Sequence, residues 1–280
     1  MDGVKLIFLG TGGGRFATIT QKRRTGGFRL ISKKLNMHID PGPGALIYSI
    51  EAGLNPQKIK AVLVSHRHPD HYSNAEILVE AMTRGMTKKR GIVAAPSSIL
   101  LGNVSTGPAI SKYHQDMIKE AIVLKPGVKF QINKTKIICT KTKHSDTETV
   151  GFRLEIPEIG AIGYSADTEY FKDLEQEFKG VRLLILSVMR PLGSPWAGHM
   201  TPKDAAKIVN AVKPELVVAT HFGMKMIFSD PAYEVKMIEN ITGVPTIPAF
   251  DGMKLKINDR ITIGKIRRNY QDLTTYIKRH

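Results

Sequence analysis

Residues 66 to 71 read His66-Arg67-His68-Pro69-Asp70-His71 and follow directly on Ala61-Val62-Leu63-Val64-Ser65, an apolar stretch with the length of a short strand. Chance is a poor explanation for so many imidazole and carboxylate groups in one short segment. An extended backbone sends alternate side chains to one side, so His66 and His68 can grip one cation, while the turn made by Pro69 brings Asp70 and His71 round towards a second. Imidazole and carboxylate are ligands that borderline divalent cations such as zinc accept, and a catalytic site takes about three of them with a position left for water.

This segment cannot complete two such spheres alone, so further ligands must come from elsewhere in the chain. His144 follows Lys136-Ile137-Ile138-Cys139-Thr140, Asp167 follows Ala161-Ile162-Gly163-Tyr164, and His221 follows Leu216-Val217-Val218-Ala219-Thr220. Ligands at strand ends suit a site at one rim of a sheet, where rigid elements hold the geometry and loops admit substrate. Plainer readings stay open for each: an exposed polar loop for His144, a helix cap for Asp167, a surface position after a strand for His221.

The ordered set resembles the metallo-beta-lactamase superfamily, whose signature is H-x-H-x-D-H followed by a distant His, a bridging Asp and a last His. The resemblance also takes in Leu9-Gly10-Thr11-Gly12-Gly13-Gly14 and Ile39-Asp40-Pro41-Gly42, so its motifs run from residue 6 to about residue 223. It implies an α/β fold, the four-layer αββα sandwich in a single domain, drawn here as residues 1–264 with a basic C-terminal tail over 265–280. It further implies that His66, His68 and His144 hold one metal, that Asp70, His71 and His221 hold the other, and that Asp167 bridges them. Two dications about 3.5 to 4 Å apart share a water and lower its pKa, which makes hydroxide the nucleophile at neutral pH. The cofactors expected are therefore two divalent metal ions, zinc first, with manganese or iron as alternatives. Asp70 is also a catalytic candidate, placed to hold or accept the proton of that water.

His199, in Gly198-His199-Met200-Thr201, occupies the place of a His-x-Thr element in the ribonuclease Z and phosphodiesterase branch of the superfamily, where it serves the leaving group. An imidazole of ordinary pKa, near 6.5, can give a departing oxygen a proton or a hydrogen bond. The competing reading makes Thr201 an N-cap and His199 incidental. Asp40 either shapes the turn at Pro41-Gly42-Pro43-Gly44 or, as the resemblance implies, orients a ligand histidine; the two roles are compatible. For the glycine-rich stretch from Gly10 to Gly14, close backbone packing beside the cleft is preferred over a phosphate cradle. Ribonuclease Z carries a long arm for gripping tRNA between its third and fourth ligand motifs. The short interval from His144 to Asp167 has no room for one, which speaks against tRNA 3′ processing.

A formal charge of +16 suggests an anionic partner, RNA or a small phosphodiester, and Lys22-Arg23-Arg24 with Lys88-Lys89-Arg90 could build a basic rim, although solvation explains each run equally well. With 280 residues and 42% hydrophobic content the chain can bury a sizeable core. Cys139 is the single cysteine, so no internal disulfide forms, and it reads as a packed core thiol. No stretch has the length of a signal peptide or membrane span, so a soluble, cytoplasmic protein with no membrane partner is expected. The basic residues Lys265, Arg267, Arg268, Lys278, Arg279 and His280 in the tail are open to packing, dimer formation, polyanion contact or plain solvation.

Periodicity places strands near 4–9, 28–32, 36–40, 61–65, 91–95, 128–132, 136–142, 149–156, 160–164, 181–187, 215–220, 246–249, 253–257 and 260–264. Helices fall near 71–84, 170–178, 202–212 and 231–241, and the stretch from 96 to about 120 is ambiguous. The favoured function is a binuclear metal-dependent hydrolase acting on phosphodiesters, a phosphodiesterase or nuclease. A lactone, thioester or other carboxyl-ester hydrolase of the same superfamily is the alternative, and a non-catalytic nucleic-acid-associated protein is a third. His68 stands where the flavodiiron oxidoreductases of the superfamily usually place Glu, which argues against a redox di-iron site. A homodimer is compatible with the resemblance and is not decided by it.

Overall fold

A computed structural model describes residues 3–266. In chain order they form β1 (Val4–Gly10), α1 (Arg15–Thr20), β2 (Thr25–Ile31), β3 (Asn36–Ile39), α2 (Ala45–Glu51), β4 (Ala61–Leu63), α3 (Pro69–Tyr72), α4 (Ala75–Met82), β5 (Ile92–Pro96), α5 (Ser97–Leu100), α6 (Lys112–Gln115) and β6 (Glu120–Leu124). There follow β7 (Lys129–Ile132), β8 (Thr135–Thr140), β9 (Gly151–Ile156), β10 (Gly160–Tyr164), β11 (Leu183–Ser187), α7 (Pro202–Val212), β12 (Leu216–Thr220), α8 (Met224–Phe228), α9 (Pro231–Thr242), β13 (Thr246–Pro248), β14 (Met253–Ile257) and β15 (Ile261–Lys265).

The strands make an eight-stranded sheet in the order β15-β14-β1-β2-β3-β4-β5-β6 and a seven-stranded sheet in the order β13-β12-β11-β10-β9-β8-β7. Strand periodicity explains why they stack between helices. In β4, Ala61 and Leu63 face the core between the sheets, while Val62 and, just past the strand, Val64 face an outer core. Helix α4 meets that outer core with Ala75, Leu78, Val79 and Met82, the i, i+3, i+4, i+7 stripe of an amphipathic helix. The second sheet repeats the pattern: Leu183 and Ile185 of β11 face inward, and Leu184 and Leu186 pack outward with Ile208 and Val209 of α7 and Val235 and Ile238 of α9. Strands apolar on both faces can only be covered on both faces, and the result is the four-layer αββα sandwich.

Several elements differ from the periodicity reading. The helix expected over 71–84 is two, α3 and α4, because the Asn74 N–H donates to the Pro41 carbonyl (2.8 Å) and breaks the ladder between them. The helix expected over 170–178 shrinks to a 3-10 segment, Leu174–Phe178, preceded by Asp173 in the left-handed region (φ 70°). The ambiguous stretch after residue 96 contains α5 and α6 and leads into β6, which pairs in parallel with β5. Cys139 is buried as expected, and burial pushes its thiol up to about 12. Lys265 still belongs to β15, and the basic tail from residue 267 onward lies outside the described residues. Among the described residues no helix is long and apolar enough to cross a membrane.

Candidate metal centre

Parallel pairing brings the candidate ligands to one rim. Strands β3 and β4 run parallel, so Asp40 and the loop from Ser65 to His71 leave their sheet at the same end. In the facing sheet β10, β11 and β12 are parallel, and β8 shares their direction because β9 is antiparallel to both β8 and β10. His144, Asp167 and His221 therefore exit at one edge too. Three non-glycine residues at these exits sit in the left-handed region, Asp40 (φ 54°), Ala166 (φ 50°) and His221 (φ 60°). Such backbone costs on the order of 1 kcal/mol each and is kept where it aims a side chain.

All seven sequence-proposed ligands converge, and His199 joins them. One group holds His66, His68 and His144, with His68 Nδ1 at 3.0 Å from His66 Nε2 and 3.1 Å from His144 Nε2. A second holds Asp70, His71 and His221, with His221 Nε2 at 3.0 Å from His71 Nε2 and 3.2 Å from Asp70 Oδ2. Asp167 lies between the groups: its Oδ2 is 4.0 Å from His66 Nε2 and from His144 Nε2 and 3.6 Å from His71 Nε2, and its Oδ1 is 3.2 Å from His221 Nδ1. His199 Nδ1 is 3.7 Å from Asp167 Oδ2, and its ring packs on that of His144 with centroids 4.9 Å apart.

Outer hydrogen bonds fix how the rings present themselves. Asp40 accepts from Ser65 N–H (2.7 Å), Ser65 O–H (2.9 Å), His71 Nδ1–H (2.9 Å) and Tyr164 O–H (2.8 Å). Because the Ser65 proton goes to Asp40, the 3.0 Å contact between Ser65 Oγ and His66 Nδ1 has the imidazole as donor. His144 Nδ1–H donates to the Gly198 carbonyl (2.9 Å). His66, His71 and His144 thus each spend Nδ1–H outward and turn Nε2 inward, the arrangement that readies a histidine to bind a metal.

Electrostatics point the same way. Burial works against charge on Asp70, yet His71 and His221 hold its carboxyl far below the usual range, and His221 and His71 do the same for fully buried Asp167. Burial also opposes charge on His71, but Asp70, Asp167 and Asp40 raise it well above its ordinary value. His66, deprived of water and next to His71, is lowered well below the usual range. Among the described residues the ion-pair partners of Asp40, Asp70 and Asp167 are all histidines, with no Lys or Arg.

The donor set is one that suits metal ions. A single proton on His68 Nδ1 cannot serve both inward Nε2 atoms that face it, and Asp167 Oδ1, His199 Nδ1 and His221 Nδ1 are buried without hydrogen-bond partners. Orphaned buried polar atoms are costly, and so is an excess of buried carboxylate; cations answer both. The readings of His144 as an exposed loop residue, Asp167 as a cap and His221 as a surface residue do not describe these positions. Thr201 does cap α7, in a capping box with Asp204, and His199 lies beside the cluster.

Close packing also accounts for the glycines. A Cβ on Gly13 would collide with the His221 ring and one on Gly42 with the Asp70 carbonyl, while the Gly14 N–H donates to Asp70 Oδ2 (2.7 Å). Residues the sequence did not single out complete the frame. Glu169 accepts from Gly198 N–H (2.8 Å) and pairs with Lys143 (2.7 Å), tying the His144 loop to the His199 loop. Arg67 donates to Ser98 O (2.7 Å) and Gly107 O (3.0 Å), its N–H donates to Asp146 (2.9 Å), and Glu148 holds Ser97 and Ser98. Of the anticipated basic rim, Arg23 donates to Ala249 O (3.0 Å) and Arg24 pairs with Glu51 (2.8 Å), so both have intramolecular partners.

The chain is 44% identical over 256 residues to an uncharacterized protein of Methanocaldococcus jannaschii, covering 91% of this chain and 95% of that one. It is 24% identical over 223 residues to the ribonuclease Z of Kineococcus radiotolerans, covering 75% of this chain and 68% of that one. Its fold matches the metallo-beta-lactamase fold protein YhfI of Bacillus subtilis with a TM-score of 0.73 at 19% identity, over 94% of this chain and 100% of that one. The model of the beta-lactamase superfamily domain matches residues 36–222, the span that carries the whole ligand cluster. With that match added to the fold and to the order of its ligand-bearing strand ends, the chain belongs to the metallo-beta-lactamase superfamily of metal-dependent hydrolases.

Proposed function

We propose that this chain is a binuclear phosphodiesterase or nuclease. His66, His68 and His144 would hold one divalent cation, zinc in the first instance, and Asp70, His71 and His221 the other, with Asp167 shared. When bound, such a pair lowers the pKa of water towards neutrality and offsets charge building on phosphorus. The Asp70 carboxylate, fixed by the Gly14 N–H and kept ionised, holds the attacking water in place by accepting a hydrogen bond from it. Asp40 keeps His71 oriented through its Nδ1–H, and through Ser65 it does the same for His66.

The observation that carries the phosphodiester reading is the position of His199. Its side chain is partly open to solvent at the edge of the cluster, against Asp167 and His144, with Nδ1 unpartnered. Burial lowers this imidazole to about 4, outweighing the opposite pull of Asp167, so at neutral pH it acts as a neutral hydrogen-bond donor to a departing oxygen. The kinship with a ribonuclease Z and the charge of +16 agree with an anionic substrate. The chain between His144 and Asp167 is taken up by the β9–β10 hairpin, with no arm for tRNA.

Hydrolysis of bis(p-nitrophenyl) phosphate by zinc- or manganese-loaded protein, abolished by chelation, tests the proposal. Lactone or thioester turnover with no diester turnover would replace it by the carboxyl-ester reading. His199→Ala should cost about 10²-fold in kcat with an alkoxide leaving group and less than about tenfold with p-nitrophenolate, which leaves without help. Equal losses on both would remove His199 from the leaving-group role.

A further inference from the structure

The loop that delivers His199 also carries the only tryptophan of the chain, Trp196, with 63% of its surface exposed. The two residues form an antiparallel bridge, in which the His199 N–H donates to the Trp196 carbonyl (3.1 Å). A scattered exposed apolar residue needs no explanation, but this one sits on a pinned platform. Arg190 donates to Ser194 O (2.7 Å) and to Ser194 Oγ (2.8 Å), and Lys225 of α8 donates to the same Oγ (3.1 Å). Buried Glu234 accepts from Leu192 N–H (2.9 Å), and Glu169 accepts from Gly198 N–H (2.8 Å). The Arg190 guanidinium lies 5.6 Å from the centre of the indole ring. No acidic residue occurs between 190 and 199, and the two carboxylates that hold this loop, Glu234 and Glu169, are taken up by its backbone N–H groups.

We propose that Trp196 is a stacking platform for a nucleobase on the leaving-group side of the scissile phosphodiester, which makes the substrate a nucleotide ester or a single-stranded nucleic acid. This rests on the phosphodiesterase reading, and it adds the chemical class of the group that departs. The physical case combines three features. A rigid exposed ring loses little conformational entropy on contact, every base offers a π-face to it, and neighbouring cations suit the phosphates that accompany a base. The backbone bridge puts Trp196 beside the residue assigned to the departing oxygen, and on that adjacency the stacked base is assigned to the leaving group.

The sole tryptophan is its own reporter. Titrating the metal-loaded wild type with a nucleoside monophosphate should quench its fluorescence saturably, and ribose phosphate at the same concentrations should not. Kinetically, a dinucleoside monophosphate is compared with an analogue whose leaving sugar lacks its base. Trp196→Ala should lower kcat/KM for the first by about tenfold or more and leave the second unchanged, and Trp196→Phe should keep most of the difference. Absence of quenching by the nucleotide, or equal losses on the two substrates, overturns the platform. Turnover of neither substrate by the metal-loaded wild type identifies the phosphodiesterase reading as the failure and removes this proposal with it.

Discussion

Asp167→Ala should abolish measurable phosphodiester hydrolysis and leave the protein able to hold at most one divalent ion tightly. Loss of a residue that merely supports a metal ligand costs about 10- to 100-fold in affinity or activity. Asp167 touches both groups of ligands, with its oxygens 3.2 to 4.0 Å from His221, His71, His199, His66 and His144, so its removal should exceed that range. In the proposed binuclear site it would also be the carboxylate that most directly counters the mutual repulsion of the two dications. Steady-state turnover together with elemental analysis checks the expectation. Full activity in the variant would mean that the two groups of histidines do not work through a common carboxylate.

Asp40→Ala should destabilise the fold by about 3 to 5 kcal/mol, the cost of breaking a buried charged pair. The substitution strips partners from Ser65 N–H, Ser65 O–H, His71 Nδ1–H and Tyr164 O–H together, in a place where water does not replace them. Because Ser65 and His71 belong to the loop that presents His66 and Asp70, metal affinity should fall as well. A lower urea midpoint with an unchanged m-value reports the first effect, and a zinc titration the second. Asp40→Asn tests orientation separately: it keeps the shape but turns one oxygen into a donor facing groups that themselves donate, so it should lose metal affinity with a smaller loss of stability.

What the sequence disclosed and what it withheld follow from the range of the forces involved. The candidate ligands were legible because four of them crowd into residues 66 to 71 and His144, Asp167 and His221 each follow an apolar strand, and strands buried on both faces, such as β4, β11 and β12, announce themselves as continuous apolar runs. His199 was singled out only through the resemblance of Gly198-His199-Met200-Thr201 to a His-x-Thr element. Elements held by tertiary contacts were not. Strand β2 begins at Thr25 and includes Gly26 and Gly27, whose lack of side chains hides the strand pattern but lets the Asp40 backbone approach, where a Cβ on Gly27 would collide. Strand β6 exposes Glu120, Ala121 and Val123, so it lacks alternation and is defined by pairing with β5. Helices α1, α2 and α8 span one or two turns, too short for a period of 3.6 to show. The partners Glu169, Asp146, Glu148 and Tyr164 are remote in sequence from what they hold, and only folding reveals the pairing.

The central claim is that one sheet rim gathers two cations through separate sets of side chains, and counting them tests it most directly. Equilibrium dialysis against zinc followed by elemental analysis should find two tightly held ions per chain in the wild type and one in either His68→Ala or His221→Ala, each with its secondary structure intact. A wild type that saturates at one ion or none, or variants that still hold two, would contradict the account.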